Sequence, residues 1–560
     1  MNKNRMIIAS DMNVDIQKHE ISMKYPSRPP MHNRRVGTWF SPFWHDRLVE
    51  SGLILSMALY YLIGNANIHI GHFSFVPSLD VHPLYTLPFL LVFALLCWYR
   101  LPFAVALLPL SLPYYLQQKE VYSHYQFSLV EITFGTCVIV ALLQMIILRR
   151  RWNYWLSWEQ LRDRYGPFLV PMLLFFVMAA FSIVIAFNRT FAFRAFREEV
   201  FDPFVYMLLL LVCLRTWQDV TRLISALVGT GFIIAVLGLI QFLFLKNVIS
   251  SLENGVWRVH AVYGSANSIG LLFDYVLPIG FALLLARVSL RLRLLALACC
   301  LPMLFVLYLT QSLGAWIAVT LALLFVVAFS IRNKKLLLLG SGILLVAVLV
   351  VTLAFHTQVV DVIAGHHTSG KGVHAVSTTT KRIYLWESAL HMIHDSPWFG
   401  YGMDNWLCHY SNNKICDAHY HYWIEKDSVT HADTGLRSEP TLSHPHNIFL
   451  HVWVSIGVFG LLAFLAVIIL FFWLFTRILR RTTHIKGIEH LRWMIVGVGA
   501  AMLAALVQGQ VDSSFLEQDL AFCFWILVAT LLLLRVHSGI AWREDTNQAA
   551  ENVTVPIATT

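Results

Sequence analysis

The sequence predicts an all-α membrane protein: a bundle of about 12–14 transmembrane helices with one large extracytoplasmic loop. Of its 560 residues, 58% are hydrophobic and only 13% are charged, whereas a soluble domain has roughly 25% charged residues. Apolar runs recur between Leu48 and Leu534, and most are long enough to cross about 30 Å of hydrocarbon as helices. Because backbone groups in lipid must hydrogen-bond within their own segment, these runs are predicted to be helices.

The apolar runs predict fourteen membrane-spanning segments. The predicted spans are residues 48–64, 84–99, 101–116, 127–148, 167–187, 203–216, 222–244, 268–287, 294–310, 313–330, 336–355, 447–475, 493–509 and 518–535. Two pairs of neighbouring spans are joined by very short connections, near Arg100 and near Gln311.

The distribution of basic residues predicts the orientation. If both termini are cytoplasmic, the cytoplasmic segments hold 29 of the 41 lysine and arginine residues. Short cytoplasmic loops are enriched in these residues, so this arrangement is favoured over the inverse. The net charge of +9 is explained by basic segments beside anionic lipid headgroups, and it requires no nucleic-acid partner.

The chain is therefore predicted to have five parts. Residues 1–46 form a disordered cytoplasmic tail, and residues 47–355 contain the first eleven transmembrane helices. Residues 356–446 form the extracytoplasmic loop, and residues 447–535 contain the last three helices. Residues 536–560 form a second cytoplasmic tail, so we expect a multi-pass protein of the plasma membrane that contacts membrane lipids.

The large loop has internal order in its sequence and holds half of the histidines, 12 of 24. Loops longer than about 15 residues inside a compact domain are usually functional or disordered. Here an apolar residue recurs every three or four positions, at Ile383, Trp386, Leu390 and Ile393. This spacing predicts an amphipathic helix near residues 381–395, lying on the membrane surface or on the bundle.

Two of the eight cysteines, Cys408 and Cys416, flank a polar stretch of this loop. An oxidising exterior would allow them to form a disulfide bond. A metal site is the alternative, because His409, His419 and His421 lie close by in the sequence. Unpaired thiols are the third possibility, and the sequence alone does not decide between them.

Three stretches of the chain resemble the O-antigen ligases and the related polymerases. Residues 382–386 and 395–402 resemble the start of the large outer loop of that family, and residues 446–447 with 457–461 resemble its end. Residues 258–267 resemble the outer segment before a central helix. The resemblance covers roughly residues 250–470, and it leaves ligase and polymerase as open alternatives.

The resemblance implies a C-type glycosyltransferase architecture and glycan transfer on the outer face of the membrane. The donor would be a glycan on a polyprenyl diphosphate carrier. The acceptor hydroxyl would belong to a glycan, a lipid-linked sugar or a protein. Such enzymes are regarded as inverting and metal-independent, so we expect neither a metal nor another cofactor.

The residues fit this chemistry when they are considered independently. Arginine binds phosphate oxygens through paired hydrogen bonds, and four arginines lie near the predicted outer boundary: Arg194, Arg197, Arg258 and Arg382. A base must accept the acceptor's proton, and the intrinsic pKa of histidine suits that role. We predict His446 as the catalytic base, with His444 and Asn447 contacting the substrate or orienting the base.

Several features have simpler structural interpretations. An outer arginine beside a span is often a lipid-headgroup anchor. Gly457 and Gly460 are predicted to allow close helix packing. Glu198, Glu199 and Asp202 are interpreted as a solvated helix start.

Two other classes compete with a transferase. A flippase for lipid-linked oligosaccharides can have as many helices, but transporters tend to have paired halves with matching broken helices, and the sequence has no such pairing. A histidine-rich sensor would explain the loop histidines but not the arginines. We therefore favour the transferase.

Overall fold

The computed structural model describes residues 42–63, 65, 69–70, 73–74, 83–122, 125–147, 158–244, 251–253, 256–330, 342, 378–410, 420, 424–426, 433–437, 443–484, 491–540 and 542. The chain divides into two units, residues 1–51 and residues 52–560. The helices that carry the candidate site belong to the second unit.

The described residues are predominantly α-helical. The helices are α1 (Pro42–Leu62), α2 (Leu87–Tyr99), α3 (Leu101–Leu107), α4 (Leu129–Ile147), α5 (Trp158–Tyr165), α6 (Leu169–Ile185), α7 (Arg189–Ala195), α8 (Asp202–Cys213), α9 (Trp217–Phe244), α10 (Ala266–Leu285), α11 (Leu290–Leu309), α12 (Leu313–Ser330), α13 (Thr378–Asp395), α14 (Trp406–Tyr410), α15 (Ile448–His484), α16 (Arg492–Gln508) and α17 (Gln518–His537). A π-helical turn, Phe196–Phe201, joins α7 to α8.

Four two-stranded antiparallel hairpins lie in the connections between helices. They are β1 (His69–Ile70) with β2 (Phe73–Ser74), β3 (Lys119–Tyr122) with β4 (Tyr125–Phe127), β5 (Ser251–Glu253) with β6 (Val256–Arg258), and β7 (Ile424–Lys426) with β8 (Asp433–Arg437). None exceeds two strands, so the described part of the chain is an all-α fold, as predicted.

Eight of the described helices are long and apolar enough to cross a membrane. They are α4, α6 with the residues that precede it from Arg162, α9, α10, α11, α12, α15 and α17. The protein is therefore a multi-pass membrane protein. The predicted spans at residues 203–216 and 493–509 correspond to the shorter helices α8 and α16, and the span at 336–355 lies outside the described residues except for Gly342.

The predicted spans at residues 84–99 and 101–116 correspond to one sharply bent helix pair, and their number of membrane crossings stays a prediction. Helix α2 and the segment from Leu101 to Tyr114 are bent by 117° relative to each other, and only together do they match one membrane-spanning length. Arg100 at the bend has non-helical φ and ψ angles of −139° and 62°. Pro102 follows in the first turn of α3, where its missing N–H leaves no helical hydrogen bond unmade.

Helices α10, α16 and α17 form the centre of the bundle. The apolar stretches of α10 and α17 are 72% and 89% buried, whereas that of α11 is only 28% buried and exposes leucines outward. Small residues allow the central helices to approach closely. An added Cβ on Gly497 of α16 would lie 3.0 Å from the backbone of Ile279 in α10.

The turn after α13 packs against the amino-terminal part of α15 through the backbone. Gly457 has φ 75° and ψ −179° inside α15, which breaks the helical ladder and frees the carbonyl of Val454. Tyr401 and Gly402 donate backbone hydrogen bonds to Val454 and Ser455, at 2.7 and 3.0 Å. An added Cβ on Gly457 would lie 2.1 Å from the carbonyl oxygen of Trp398. The absence of a side chain at Gly457 therefore allows the backbone of Trp398 and Phe399 to pack closely against α15. The prediction that this glycine allows close packing of a neighbouring helix is wrong.

Candidate functional site

The candidate site lies where the large loop enters α15. His446 immediately precedes this entry and has a left-handed backbone, φ 51°. The side-chain oxygen of Asn447 accepts the N–H groups of Phe449 and Leu450 at 3.0 and 3.1 Å, which caps α15. Its amide nitrogen donates to the carbonyl oxygen of Gln510 at 3.0 Å. Asn447 thus orients the junction, and this geometry favours positioning over sugar binding.

His446 is paired with an aspartate that the sequence did not identify. Its Nδ1 lies 2.7 Å from Oδ1 of Asp512, in the connection between α16 and α17. The backbone N–H of Ser513 also donates to Oδ1, at 2.9 Å. A carboxylate on Nδ1 holds the proton there and leaves the Nε2 lone pair available. The His446 and Asp512 side chains are 16% and 6% exposed.

Burial and neighbouring charges adjust both pKa values. Burial and the positive charge of His444 lower the pKa of His446 below its ordinary value, although Asp512 opposes the shift. Burial alone would raise the pKa of Asp512, but His446, His444 and Arg382 lower it well below the ordinary value. A neutral imidazole beside an ionised carboxylate is the arrangement that a general base requires.

His444 links the pair to a second carboxylate. Its Nδ1 accepts the backbone N–H of His446 at 3.3 Å, and its Nε2 lies 3.7 Å from Oε1 of Glu517. The rings of His444 and His446 are 4.3 Å apart, and His451 stacks on His444 at 5.4 Å. Burial lowers the pKa of His444, but Glu517 and Asp512 outweigh it, so the pKa is raised overall.

Arg382 brings positive charge to the same place. It lies on α13, where its charge acts on Asp512 and on Arg258, and burial lowers its pKa. Among the described residues, its guanidinium makes no hydrogen bond or ion pair. A partly buried arginine with unused donors is suited to bind an anion.

Arg258 is held in place at the end of β6. Its Nε donates to the carbonyl oxygen of Thr310 at 2.7 Å, and its Nη2 donates to Asn267 at 2.6 Å. The structure therefore brings three of the predicted side chains together around Asp512, namely His444, His446 and Arg382. Arg258 lies near enough to Arg382 for their charges to interact.

Arg194 and Arg197 belong to a different network. Arg197 forms ion pairs with Glu131 and Glu198 at 2.6 and 2.7 Å. Arg194 is 62% exposed and pairs with Glu198 at 3.1 Å. Both arginines form ion pairs within this cluster, which indicates a structural role for Arg197. Substrate binding by either residue stays a prediction.

The interpretation of the acidic cluster as a solvated helix start is wrong. Asp202 is only 7% exposed. Burial and the carboxylates of Asp404 and Glu517 raise the pKa of Glu199 well above its ordinary value. The π-helical turn widens the helix by one residue, and such turns are frequent at functional sites. Asp202 is thus buried and Glu199 half-buried, so the cluster is not a fully solvated helix start.

Asp512 and Glu517 are the functional candidates that the sequence analysis missed. They lie between the predicted spans 493–509 and 518–535, on the same predicted side of the membrane as the large loop. Their predicted location on the same side of the membrane as His446 is the sequence feature that could have identified them. The pairing itself joins residues 66 positions apart, and no local pattern indicates it.

The other residues predicted to have structural roles are Cys408, Cys416 and Gly460. Cys408 is disulfide-bonded, while Cys416 lies outside the described residues, so their pairing stays a prediction. Among the described residues, the only group that could hold a metal ion lies elsewhere, at His444, His446 and Asp512, whose ligand atoms all fall within 4.8 Å of one another. The three atoms nearest to an added Cβ on Gly460 all belong to Ile456 of its own helix.

Comparison with known protein families gives a match to part of the chain. Residues 298–465 match the O-Antigen ligase family. This region includes α13, the His444–Asn447 junction and the amino-terminal part of α15, but neither Arg258 nor Asp512. No curated protein matches the chain. The match agrees with the resemblance of the motifs: residues 298–465 of this multi-pass membrane protein are similar to the O-antigen ligases.

Proposed function

We propose that the protein transfers a glycan from a polyprenyl diphosphate carrier to an acceptor hydroxyl on the outer face of the membrane. The family supports a glycan transferase of the O-antigen ligase or polymerase type. The observation that carries the finer proposal is the His446–Asp512 pair, with the guanidinium of Arg382 acting on the same carboxylate.

His446 acts as the general base. The acceptor hydroxyl donates its proton to Nε2 of His446 while its oxygen forms a bond to the anomeric carbon of the donor sugar. Asp512 holds the Nδ1 proton and stabilises the imidazolium that forms. A positioned base of this kind contributes about 10²–10⁴-fold to a rate.

Arg382 and Arg258 act on the leaving group. As the bond between the anomeric carbon and the diphosphate oxygen breaks, negative charge develops on the diphosphate. Fixed cations in a poorly hydrated site stabilise this charge, and one such contact is worth about 3–4 kcal/mol. Attack opposite the leaving group inverts the anomeric centre, and no step of this mechanism requires a metal ion.

The test is turnover of a polyprenyl-diphosphate oligosaccharide by purified protein in liposomes containing EDTA. We expect release of polyprenyl diphosphate coupled to a longer glycan, with a loss of at least about 10²-fold in His446→Ala and Arg382→Ala. His394→Ala and Arg291→Ala are matched controls, because both residues are exposed and lie outside the site.

Movement of intact donor across the bilayer without bond cleavage, equal in all variants, would overturn the proposal in favour of a flippase. Turnover that disappears in EDTA and returns with a divalent ion would overturn metal independence. Loss of activity in the two control variants to the same extent would indicate that the substitutions act through folding.

A further inference from the structure

We propose that His444, His446 and Asp512 bind a zinc ion, and that zinc occupancy blocks the transfer reaction. The binding site stands on the geometry of the cluster. The inhibition rests on the proposed function, because it requires His446 to be the base.

The geometry suits a single ion. The three ligand atoms already lie within 4.8 Å of one another. Zinc binds imidazole nitrogen and carboxylate oxygen at about 2.0–2.2 Å in a tetrahedral arrangement, which places ligand atoms about 3.4 Å apart. Small rotations of His444 and His446, whose ring centres are 4.3 Å apart, would therefore complete the site.

The ligand chemistry selects zinc over the common alkaline-earth ions. Two imidazoles with one carboxylate are typical zinc ligands, whereas calcium and magnesium prefer oxygen ligands throughout. Glu517 is the candidate for a fourth ligand, since its Oε1 lies 3.7 Å from Nε2 of His444. Two carboxylates, from Asp512 and Glu517, also match the charge of a divalent cation.

The cluster is enclosed but reachable. The side chains of His444, His446 and Asp512 are 11%, 16% and 6% exposed, so His446 offers the widest opening. Arg382 opposes the binding of a cation, because its positive charge acts on Asp512. Neutralising Arg382 should therefore raise zinc affinity several-fold, an effect in the opposite direction from the loss of a ligand.

Coordination would remove the base. Asp512 lies beside Nδ1 of His446, so a zinc ion shared by the two residues binds Nδ1. The imidazole proton then resides on Nε2, which no longer has a lone pair to accept the proton of the acceptor hydroxyl. Binding requires the imidazoles to be neutral, so zinc affinity should fall as the pH falls. No bond of the donor or acceptor changes in this step.

The site is tested on the purified full chain in nanodiscs after treatment with EDTA. Zinc binding is measured by titration calorimetry, and cobalt is used as a probe because its visible absorption reports tetrahedral nitrogen and oxygen ligands. We expect one tight equivalent in the wild type. The affinity should fall at least about 10²-fold in His444→Ala and in Asp512→Asn, and rise in Arg382→Ala.

The matched control is the double variant His391→Ala with His394→Ala. These two histidines are exposed and lie three residues apart on α13, so they represent adventitious binding by surface histidines. Retention of the tight equivalent in this control supports the proposal. Loss of that equivalent only in this control, or equal affinity in the wild type, His444→Ala and Asp512→Asn, would overturn the site. Thermal unfolding without metal shows whether each variant is folded.

A second arm tests inhibition. One equivalent of zinc should abolish glycan transfer, excess EDTA should restore it, and magnesium should have no effect. Tight zinc binding with undiminished transfer would overturn the inhibition. If no transfer activity is found in any condition, the proposed function fails, whereas the calorimetric and cobalt measurements still decide whether the zinc site exists.

Discussion

At the scale of single residues, the site depends on how two carboxylates act on two histidines. Asp512 raises the pKa of His446, whereas the charge of His444 lowers it. Glu517 in turn raises the pKa of His444. A base must be neutral to accept a proton, so transfer declines as the pH falls through the pKa of His446. The acid limb of the pH–rate profile, where the rate of transfer falls with falling pH, therefore reports how Asp512, His444 and Glu517 set the pKa of His446.

Two substitutions should move that limb in opposite directions. Asp512→Asn removes a charge that favours the imidazolium, so the acid limb moves to lower pH and the plateau of kcat/KM falls by about 10²-fold or more.

Glu517→Gln lowers the pKa of His444, and a neutral His444 no longer lowers the pKa of His446. The limb then moves to higher pH. Profiles of log kcat/KM against pH measure both, and a shift in the same direction would contradict this network.

At the scale of elements, the break in α15 at Gly457 connects the helix to the large loop. Gly457→Ala is expected to destabilise the protein by more than about 2 kcal/mol, because a left-handed backbone disfavours alanine and the added Cβ would clash with Trp398. We also expect reduced transfer, since α15 begins beside His446. Thermal unfolding and liposome turnover measure the two effects.

Gly135→Ala is the control for this substitution. Gly135 lies inside α4, and an added Cβ there has no atom within 4 Å. Alanine should therefore leave stability unchanged or raise it by about 0.5–1 kcal/mol. Equal melting temperatures for the two variants would show that the break does not depend on glycine.

At the scale of the whole molecule, orientation remains a prediction from the basic residues. His394 is exposed on α13 and belongs to the loop predicted to be extracytoplasmic. A cysteine introduced as His394→Cys should react with a membrane-impermeant maleimide in intact cells. A carboxy-terminal tag should be accessible only after lysis. Labelling that requires lysis would invert the orientation and move the site to the cytoplasmic side.

The positions of helices could be predicted because each apolar run carries its own signal. Helices α9, α10, α12 and α17 begin within about five residues of the predicted spans. The bend at Arg100 could not be predicted in this way, since two short apolar runs look alike whether they form two spans or one broken span. The loop helix α13 was visible in its periodic side chains, but its backbone contact with α15 was not.

The sequence by itself determined the class of the protein, its membrane environment, its family resemblance and the choice of His446, Arg258 and Arg382. Composition, apolar run length and short motifs depend on neighbouring residues, so they can be read along the chain. Only the tertiary structure decided that Asp512 pairs with His446, that Glu517 approaches His444 and that Arg197 is bound by Glu131. Those contacts join distant segments, because helix packing, and not local sequence, decides which connections meet.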